Sequence, residues 1–409
     1  MILNEGQEKA AQAAVDWFWN SSEQYFSITG HAGTGKSVVI AEIIRRLNLH
    51  DDEILPMAYT GQACTIMRTK GFTNACTCHS ALFDPIKIPR RDKTGHIIYD
   101  QQHNVPLEDW SYTLKDFTNT KIKLIILDEA WMAPLSIRKV LDNLHIKVLA
   151  AGDPGQLPPV ADRPGFLMDG IIYHLSELMR QSENSPIVYL ANRARNGLPI
   201  EPGVYGNSVF VMFQDEITDD LIARSNIIIC GRNETRDRLN KKVREDILGI
   251  HAPQPMYGER LICRHNNWDK YVGNIPLVNG LTGTVISPPD VSNYDNHKIL
   301  KIDFLPDLCN IKFENLGINL KYLNLPYKER ELYSRSPFFV GEQFEYAYAS
   351  TIHLAQGSEY LCGMYIEEPM NPMMIKAANY TAITRFKQQM IYVMHAPKFW
   401  KGYSVNNYV

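Results

Sequence analysis

Residues 27–37 read Ser27-Ile28-Thr29-Gly30-His31-Ala32-Gly33-Thr34-Gly35-Lys36-Ser37, and no other stretch constrains the fold as strongly. The spacing is G-x-x-x-x-G-K-S, the phosphate-cradling P-loop pattern. Apolar Tyr25, Phe26 and Ile28 lead in as a strand. Val38, Val39, Ile40, Ile43, Ile44 and Leu47 follow at helical spacing. Gly30, Gly33 and Gly35 let the backbone from Gly30 through His31, Ala32 and Thr34 turn its N–H groups toward an anion. A helix opening at Lys36 adds its positive end. The Lys36 ammonium matches the β- and γ-phosphates of a nucleotide, and the Ser37 hydroxyl matches Mg²⁺.

Composition narrows the class without naming a partner. The 409 residues are 45% apolar and 21% charged, ordinary values for globular protein with two to four domains. A formal net charge of -3 supplies no global field for a polyanion, although a local basic channel suffices to bind one. The seven cysteines are scattered, with no C-x-x-C pair, which predicts free thiols in a reducing, cytoplasmic compartment. No apolar run approaches the length of a membrane span, and no signal-like segment is read at the start, so no membrane partner is expected.

The rest of the chain reads as α/β with two interruptions. Residues 4–19 form a helical pattern capped by Asn4, and 53–59 and 61–69 a strand and helix. Lys123-Leu124-Ile125-Ile126-Leu127 is a nearly continuous apolar run ending in Asp128-Glu129, and Val148-Leu149-Ala150-Ala151 ends in Gly152-Asp153. Such runs mark buried parallel strands, whose carboxyl ends are where doubly wound sheets place chemistry. Residues 84–110 are proline-punctuated. There Ile86-Lys87-Ile88 and Ile97-Ile98-Tyr99 flank a Thr94-Gly95 turn like the arms of a hairpin. A second α/β unit is predicted from about 182, interrupted by a Gly-, Pro- and Asn-rich set of short β-like runs at 256–340.

Four further segments accompany the P-loop. Asp128-Glu129 follows a buried strand, where Asp128 suits Mg²⁺ and Glu129 an attacking water. Gly152-Asp153-Pro154-Gly155-Gln156-Leu157-Pro158-Pro159-Val160 offers Gln156 to a γ-phosphate. Tyr348 to Glu359 contains Thr351-Ile352-His353-Leu354-Ala355-Gln356-Gly357-Ser358-Glu359, and Tyr380-Thr381-Ala382-Ile383-Thr384-Arg385 closes the set. In order and spacing these segments resemble superfamily 1 helicases of the 1B branch, the RecD-like and Dda-like group.

That resemblance, covering Gln7 to Val393, implies two RecA-like P-loop domains with parallel sheets, at 1–83 with 111–181 and at 182–255 with 341–409. A pin hairpin at 84–110 is inserted in the first, and a small SH3-like β-barrel at 256–340 in the second, where it embraces the pin. Gln7 resembles the glutamine that reads adenine. Arg180 and Arg385 resemble the arginines that reach the γ-phosphate, and Gly357 and Glu359 positions near the nucleotide. Thr60, Gly61, Thr77, His79, Thr351 and His353 resemble the residues that contact a DNA strand, and Tyr99 is the aromatic candidate near the pin tip. The implied activity is that of a monomeric DNA helicase using ATP and Mg²⁺. It would move 5′→3′ on single-stranded DNA and open forks in a bacterial or phage-infected cytosol, with a single-strand-binding protein or replisome component as partner. Alternatives are a translocase that displaces bound proteins with little unwinding, and a nucleotide-switched DNA-binding module. Three positions depart from the group. Trp131 replaces a small residue after Asp-Glu-Ala, Gln62 stands where lysine is frequent, and Leu354 stands where lysine commonly follows the histidine.

Overall fold

A computed structural model describes residues 3–99, 105–160, 162–177, 185–288, 290–294, 297–336 and 339–395. The first sheet runs Cys76–Thr77, Ile54–Ala58, Leu124–Asp128, Lys147–Gly152, Tyr25–Gly30, Ile171–Leu175 in spatial order. From Ile54–Ala58 onward every neighbouring pair of strands is parallel. Leu124 to Leu127 are wholly buried, as a strand covered on both faces requires. Because the strands are parallel, Gly30, Asp128 and Gly152 leave the sheet at one edge. The strand ending in Gly152 lies between the P-loop strand and the Asp128 strand, pairing Thr29 with Gly152 and Leu127 with Ala150.

The helix before the P-loop, Glu5–Asn20, starts as its sequence predicts. The Asn4 side chain accepts the Gln7 N–H and the Gln7 side chain accepts the Asn4 N–H, a closed capping box. The P-loop helix is Lys36–Leu47, and its buried face is Val39, Ile40, Ile43 and Leu47.

A second sheet runs Ala349–Thr351, Ile228–Cys230, Tyr360–Ile366, Phe386–Met394, Val209–Phe213, Gly203–Tyr205. The first five strands are parallel and the last is antiparallel. One face buries Ile229, Tyr365 and Tyr392 against Leu190, Tyr380 and Ile383 of the helices Pro186–Asn196 and Pro372–Ile383. The doubly wound α/β class expected from the apolar runs is therefore present in two sheets.

Both sheets belong to one compact unit, built from the segment ending at Cys76, Lys121–Gly249 and the segment beginning at Tyr348. The other unit comprises Thr77–Thr120 and Ile250–Ala347, so the two inserted stretches share it. Its larger part is an antiparallel sheet in the order Asp290–Tyr294, His297–Pro306, Thr282–Val285, Arg260–Cys263, Phe344–Tyr346, with Phe313–Asn319 on His297–Pro306. Leu261, Leu300, Phe304 and Phe344 form its dry core.

The hairpin differs from its predicted pairing. Phe83–Pro89 pairs with Glu108–Leu114, so Ile86 lies opposite Ser111 and Ile88 opposite Asp109. Residues 97–99 instead fold back on 91 and 106, through the bridges Arg91↔Ile97 and Tyr99↔Pro106. The cause is local. The Asp92 carboxylate accepts the N–H groups of Thr94 (2.8 Å) and His96 (3.0 Å) and closes a turn of its own. That turn closes a short inner hairpin, with 90–92 against 96–98, and the long arms pair outside it.

Ile126 is fully buried in a central strand of the first sheet. Ile126→Ala should cost about 2–5 kcal/mol. A thermal melt showing no fall in midpoint would mean that this strand does not sit in the core.

Candidate active site

The P-loop is built on backbone that side chains resist. Gly33 and Gly35 have φ of 87° and 83°, the left-handed region where a Cβ is strained. Gly35 caps the helix without a side-chain hydrogen bond, which leaves the helix's first N–H groups to a ligand. Lys36 Nζ lies back over the loop, donating to the Gly30 carbonyl (2.8 Å) and the His31 carbonyl (3.0 Å). Burial holds its ammonium below the ordinary lysine value, while Glu129, Asp153 and Asp128 pull the other way. The Ser37 hydroxyl accepts from exposed Lys70 Nζ at 2.9 Å, a bond the sequence did not signal. Gln7 is buried. Its Nε2 donates to the Thr34 carbonyl (3.1 Å) and its Oε1 accepts the Asn4 N–H (3.1 Å), so it braces the loop from behind.

The acidic pair stands beside it. Asp128 Oδ1 accepts the Glu129 N–H at 2.9 Å. Glu129 itself has φ of 50°, an uncommon backbone for a residue with a Cβ and a mark of stored strain. Burial first, then the neighbouring Asp128, raises its carboxyl above the ordinary glutamate value, with Lys36 and Arg385 opposing. Among the described residues no cluster of three or more His, Cys, Asp or Glu could hold a metal. A cation here would take only Ser37 and Asp128 from the protein, the sparse oxygen set that Mg²⁺ accepts when phosphates supply other ligands.

Gln156 is buried, and its Oε1 has no hydrogen-bond partner among the described residues. Its backbone carbonyl accepts Trp131 Nε1–H at 2.9 Å. Gly152 makes this approach feasible, since a Cβ there would lie 2.9 Å from Leu167 Cδ1 and 3.1 Å from Trp131 N.

The second sheet's helices close on the same loop. Arg385 is buried; Nε donates to the Thr381 carbonyl (3.0 Å), Nη1 to the Ser358 carbonyl (3.3 Å) and Nη2 to Thr384 Oγ1 (3.1 Å). Its charge is felt at both Lys36 and Glu129. Tyr380 donates its hydroxyl proton to Asp153 Oδ2 (2.5 Å). Arg195, from the helix Pro186–Asn196, donates from Nη1 to Asp153 Oδ1 (3.1 Å) and to His31 Nδ1 (2.8 Å). His31 accepting at Nδ1 is a neutral ring protonated at Nε2. Burial and the Arg195 charge accordingly push it below the usual histidine value. Arg195 carries no motif, and one of two arginines in the last turn of an amphipathic helix gives no sign of what it faces.

The remaining candidates are less uniform. Thr60 caps the helix Gly61–Thr69, accepting the Ala63 N–H at 3.3 Å. Thr351 Oγ1 accepts the Leu354 N–H at 3.3 Å, and His353 Nε2 is buried without a partner among the described residues. Gly357 (φ 83°) brings the two segments together, a Cβ there standing 3.9 Å from Ala63. Glu359 is exposed and ion-paired with Lys387. In the other unit, Thr77 caps Cys78–Leu82, and exposed His79 packs its ring 6.0 Å from Phe83 and 5.9 Å from Tyr112. Tyr99 is half exposed beside Pro106. Arg180 lies outside the described residues.

The sheet order and the strand, glycine loop and helix at 25–47 have the arrangement of a P-loop domain. Residues 11–162 match the family model described as an AAA domain. The chain is 24% identical over 199 residues (44% of its length) to an uncharacterized protein of Acanthamoeba polyphaga mimivirus. It is also 24% identical over 231 residues (51% of its length) to the DNA replication ATP-dependent helicase/nuclease dna2 of Schizosaccharomyces pombe. It spans 39% and 16% of those relatives. Across its length it is similar to Pif1 helicase from Bacteroides, solved in complex with ADP-AlF3 and single-stranded DNA. There the identity is 18%, the TM-score 0.55, and 97% of this chain and 94% of that chain are covered. The chain therefore shares the fold of Pif1 helicase. No helix among its described residues is long and apolar enough to cross a membrane.

The raised Glu129 carboxyl makes a prediction about stability. The folded chain holds that proton more tightly than the unfolded chain, so the penalty for ionising it is absent below about pH 4 and full above the raised value. Glu129→Gln should raise the thermal midpoint at pH 8, with the gain shrinking as pH falls toward about 4. A gain that is absent, or that does not change with pH, would show an ordinary glutamate.

Proposed function

We propose that the chain is an ATP-dependent DNA helicase that moves 5′→3′ along single-stranded DNA and opens duplex at a fork. The observation that carries this reading is the phosphate loop itself, with Lys36 Nζ laid back over it and the helix N-terminus after Gly35 left open, on a fold shared with Pif1 helicase. Bound ATP would meet Lys36 and the open N–H groups after Gly35 at its phosphates. Glu129 would take the proton of the attacking water, and Arg385 would steady the charge that develops on the transferred group. Mg²⁺ on Ser37 and Asp128 would neutralise phosphate charge. The fold shared with Pif1, and the single-stranded DNA in the Bacteroides Pif1 complex, support DNA as the track. The 5′→3′ direction and action as a monomer rest on the 1B resemblance.

Lys36→Ala should abolish DNA-stimulated phosphate release while leaving single-strand binding near the parent level. Turnover above about a tenth of the parent would defeat the P-loop assignment. Unwinding of a 5′-tailed duplex but not a 3′-tailed one tests the direction.

The hairpin is the proposed wedge. Opening a base pair costs about 1.4 kcal/mol per stacked step. Stacking a freed base on an aromatic ring such as Tyr99 returns about 1–3 kcal/mol. Replacing residues 90–107 by a short Gly-Ser turn keeps the arms paired up to Pro89↔Glu108. Duplex unwinding should fall steeply while ATPase and protein displacement on single strands persist. Unwinding that survives unchanged would move the wedge elsewhere.

A further inference from the structure

We propose that Trp131 is a positioning residue for hydrolysis, holding Gln156 in place and linking it to the helix Pro372–Ile383 that precedes Arg385; this rests on the ATPase reading above. Trp131 follows the Asp128-Glu129 pair by two residues and is half-buried. Its indole N–H meets the Gln156 carbonyl at 2.9 Å, a direct polar tie between the loop after the carboxylates and the Asp153–Pro158 turn. With its carbonyl pinned, Gln156 presents a buried Oε1 that lacks a donor among the described residues. An amide oxygen in that position suits the proton of a water, and a shift of about 1 Å in such a group is enough to lose most of its effect.

The next residue carries the tie onward. The Leu157 N–H donates to Thr381 Oγ1 at 2.9 Å, and the Leu157 carbonyl accepts Gln356 Nε2–H at 3.1 Å. The Thr381 carbonyl in turn accepts Arg385 Nε–H at 3.0 Å. A bonded path therefore runs from Trp131 through Gln156, Leu157 and Thr381 to Arg385. A small residue at 131 is too short to bring a side-chain donor where the indole Nε1 stands.

The test is a double-mutant cycle on ATP turnover. Trp131→Phe keeps the ring and removes the N–H. It should lower kcat about three- to tenfold, the size of one hydrogen bond, with ATP KM and ADP affinity within about twofold of the parent. Gln156→Ala should lower kcat further, and Trp131→Phe should then add nothing. Thr381→Val removes the far tie and should reproduce the loss in kcat with ADP still bound. That variant keeps the test decisive should Trp131→Phe fold poorly. Parent-like kcat in Trp131→Phe, losses that multiply with Gln156→Ala, or a change confined to KM would overturn the proposal. A parent chain without turnover, or Lys36→Ala with parent turnover, would overturn the ATPase reading itself, an outcome separable from the others.

Discussion

A lysine, two carboxylates and an arginine act on one another's charge at the carboxyl edge of the first sheet. Lys36 is disfavoured as a cation by burial, and Glu129 is disfavoured as an anion by burial and by Asp128. Each charge is tolerated because the other is near, and the surrounding bonds maintain the arrangement. Lys36 is tied to its own loop carbonyls, and Arg385 to the carbonyls of Thr381 and Ser358. A set of this kind gains from a polyanion that brings negative charge to Lys36 and Arg385 together. Much of the cost of desolvating the site is thus already met by folding, and preorganised charge of this sort is the largest single source of rate in comparable chemistry.

The same logic explains the clasp around Asp153. The carboxylate is buried and would be costly alone, yet it accepts from Tyr380 and Arg195, both on helices of the second sheet. His31, a loop residue whose side chain the P-loop pattern leaves unspecified, receives Arg195 on its unprotonated nitrogen. The two sheets are therefore joined by polar bonds at the phosphate loop, and beside them by Leu157, which is buried in the apolar core of the second sheet.

What the sequence made legible was whatever is local along the chain. The P-loop needs strand, glycines and helix within a dozen residues, and all three stand where the pattern placed them. The Asn4 cap and the buried runs ending in Asp128 and Gly152 are equally local. Arg195 was invisible because its role depends on a partner 42 residues away in sequence, Asp153, and on a loop farther still. The hairpin arms were misread because Ile97-Ile98-Tyr99 has the composition of a strand, while the Asp92 side chain closes its own turn and leaves the pairing to Glu108–Leu114. Glu359 sat inside a motif, yet its charge is engaged by Lys387, a strand residue that no motif includes.

On the helicase reading proposed above, the DNA side would follow from which side chains stand where lysines are frequent. Gln62 is buried, so the first of those two positions fills space in the core and does not reach toward solvent. The hydroxyls of Thr60, Thr77 and Thr351 all accept backbone N–H groups at helix or turn starts. Their service to a strand would then be to fix the direction of neighbouring N–H groups, with phosphate held by backbone dipoles instead of by ammonium groups. Each lysine removed takes one released counterion with it and flattens the dependence of binding on salt. On that reading, a grip made of oriented N–H groups would differ from one made of ammonium groups in its reach. It is short-ranged, so a displacement of a few ångströms ends it, whereas the attraction of a lysine persists over a Debye length of about 8–10 Å.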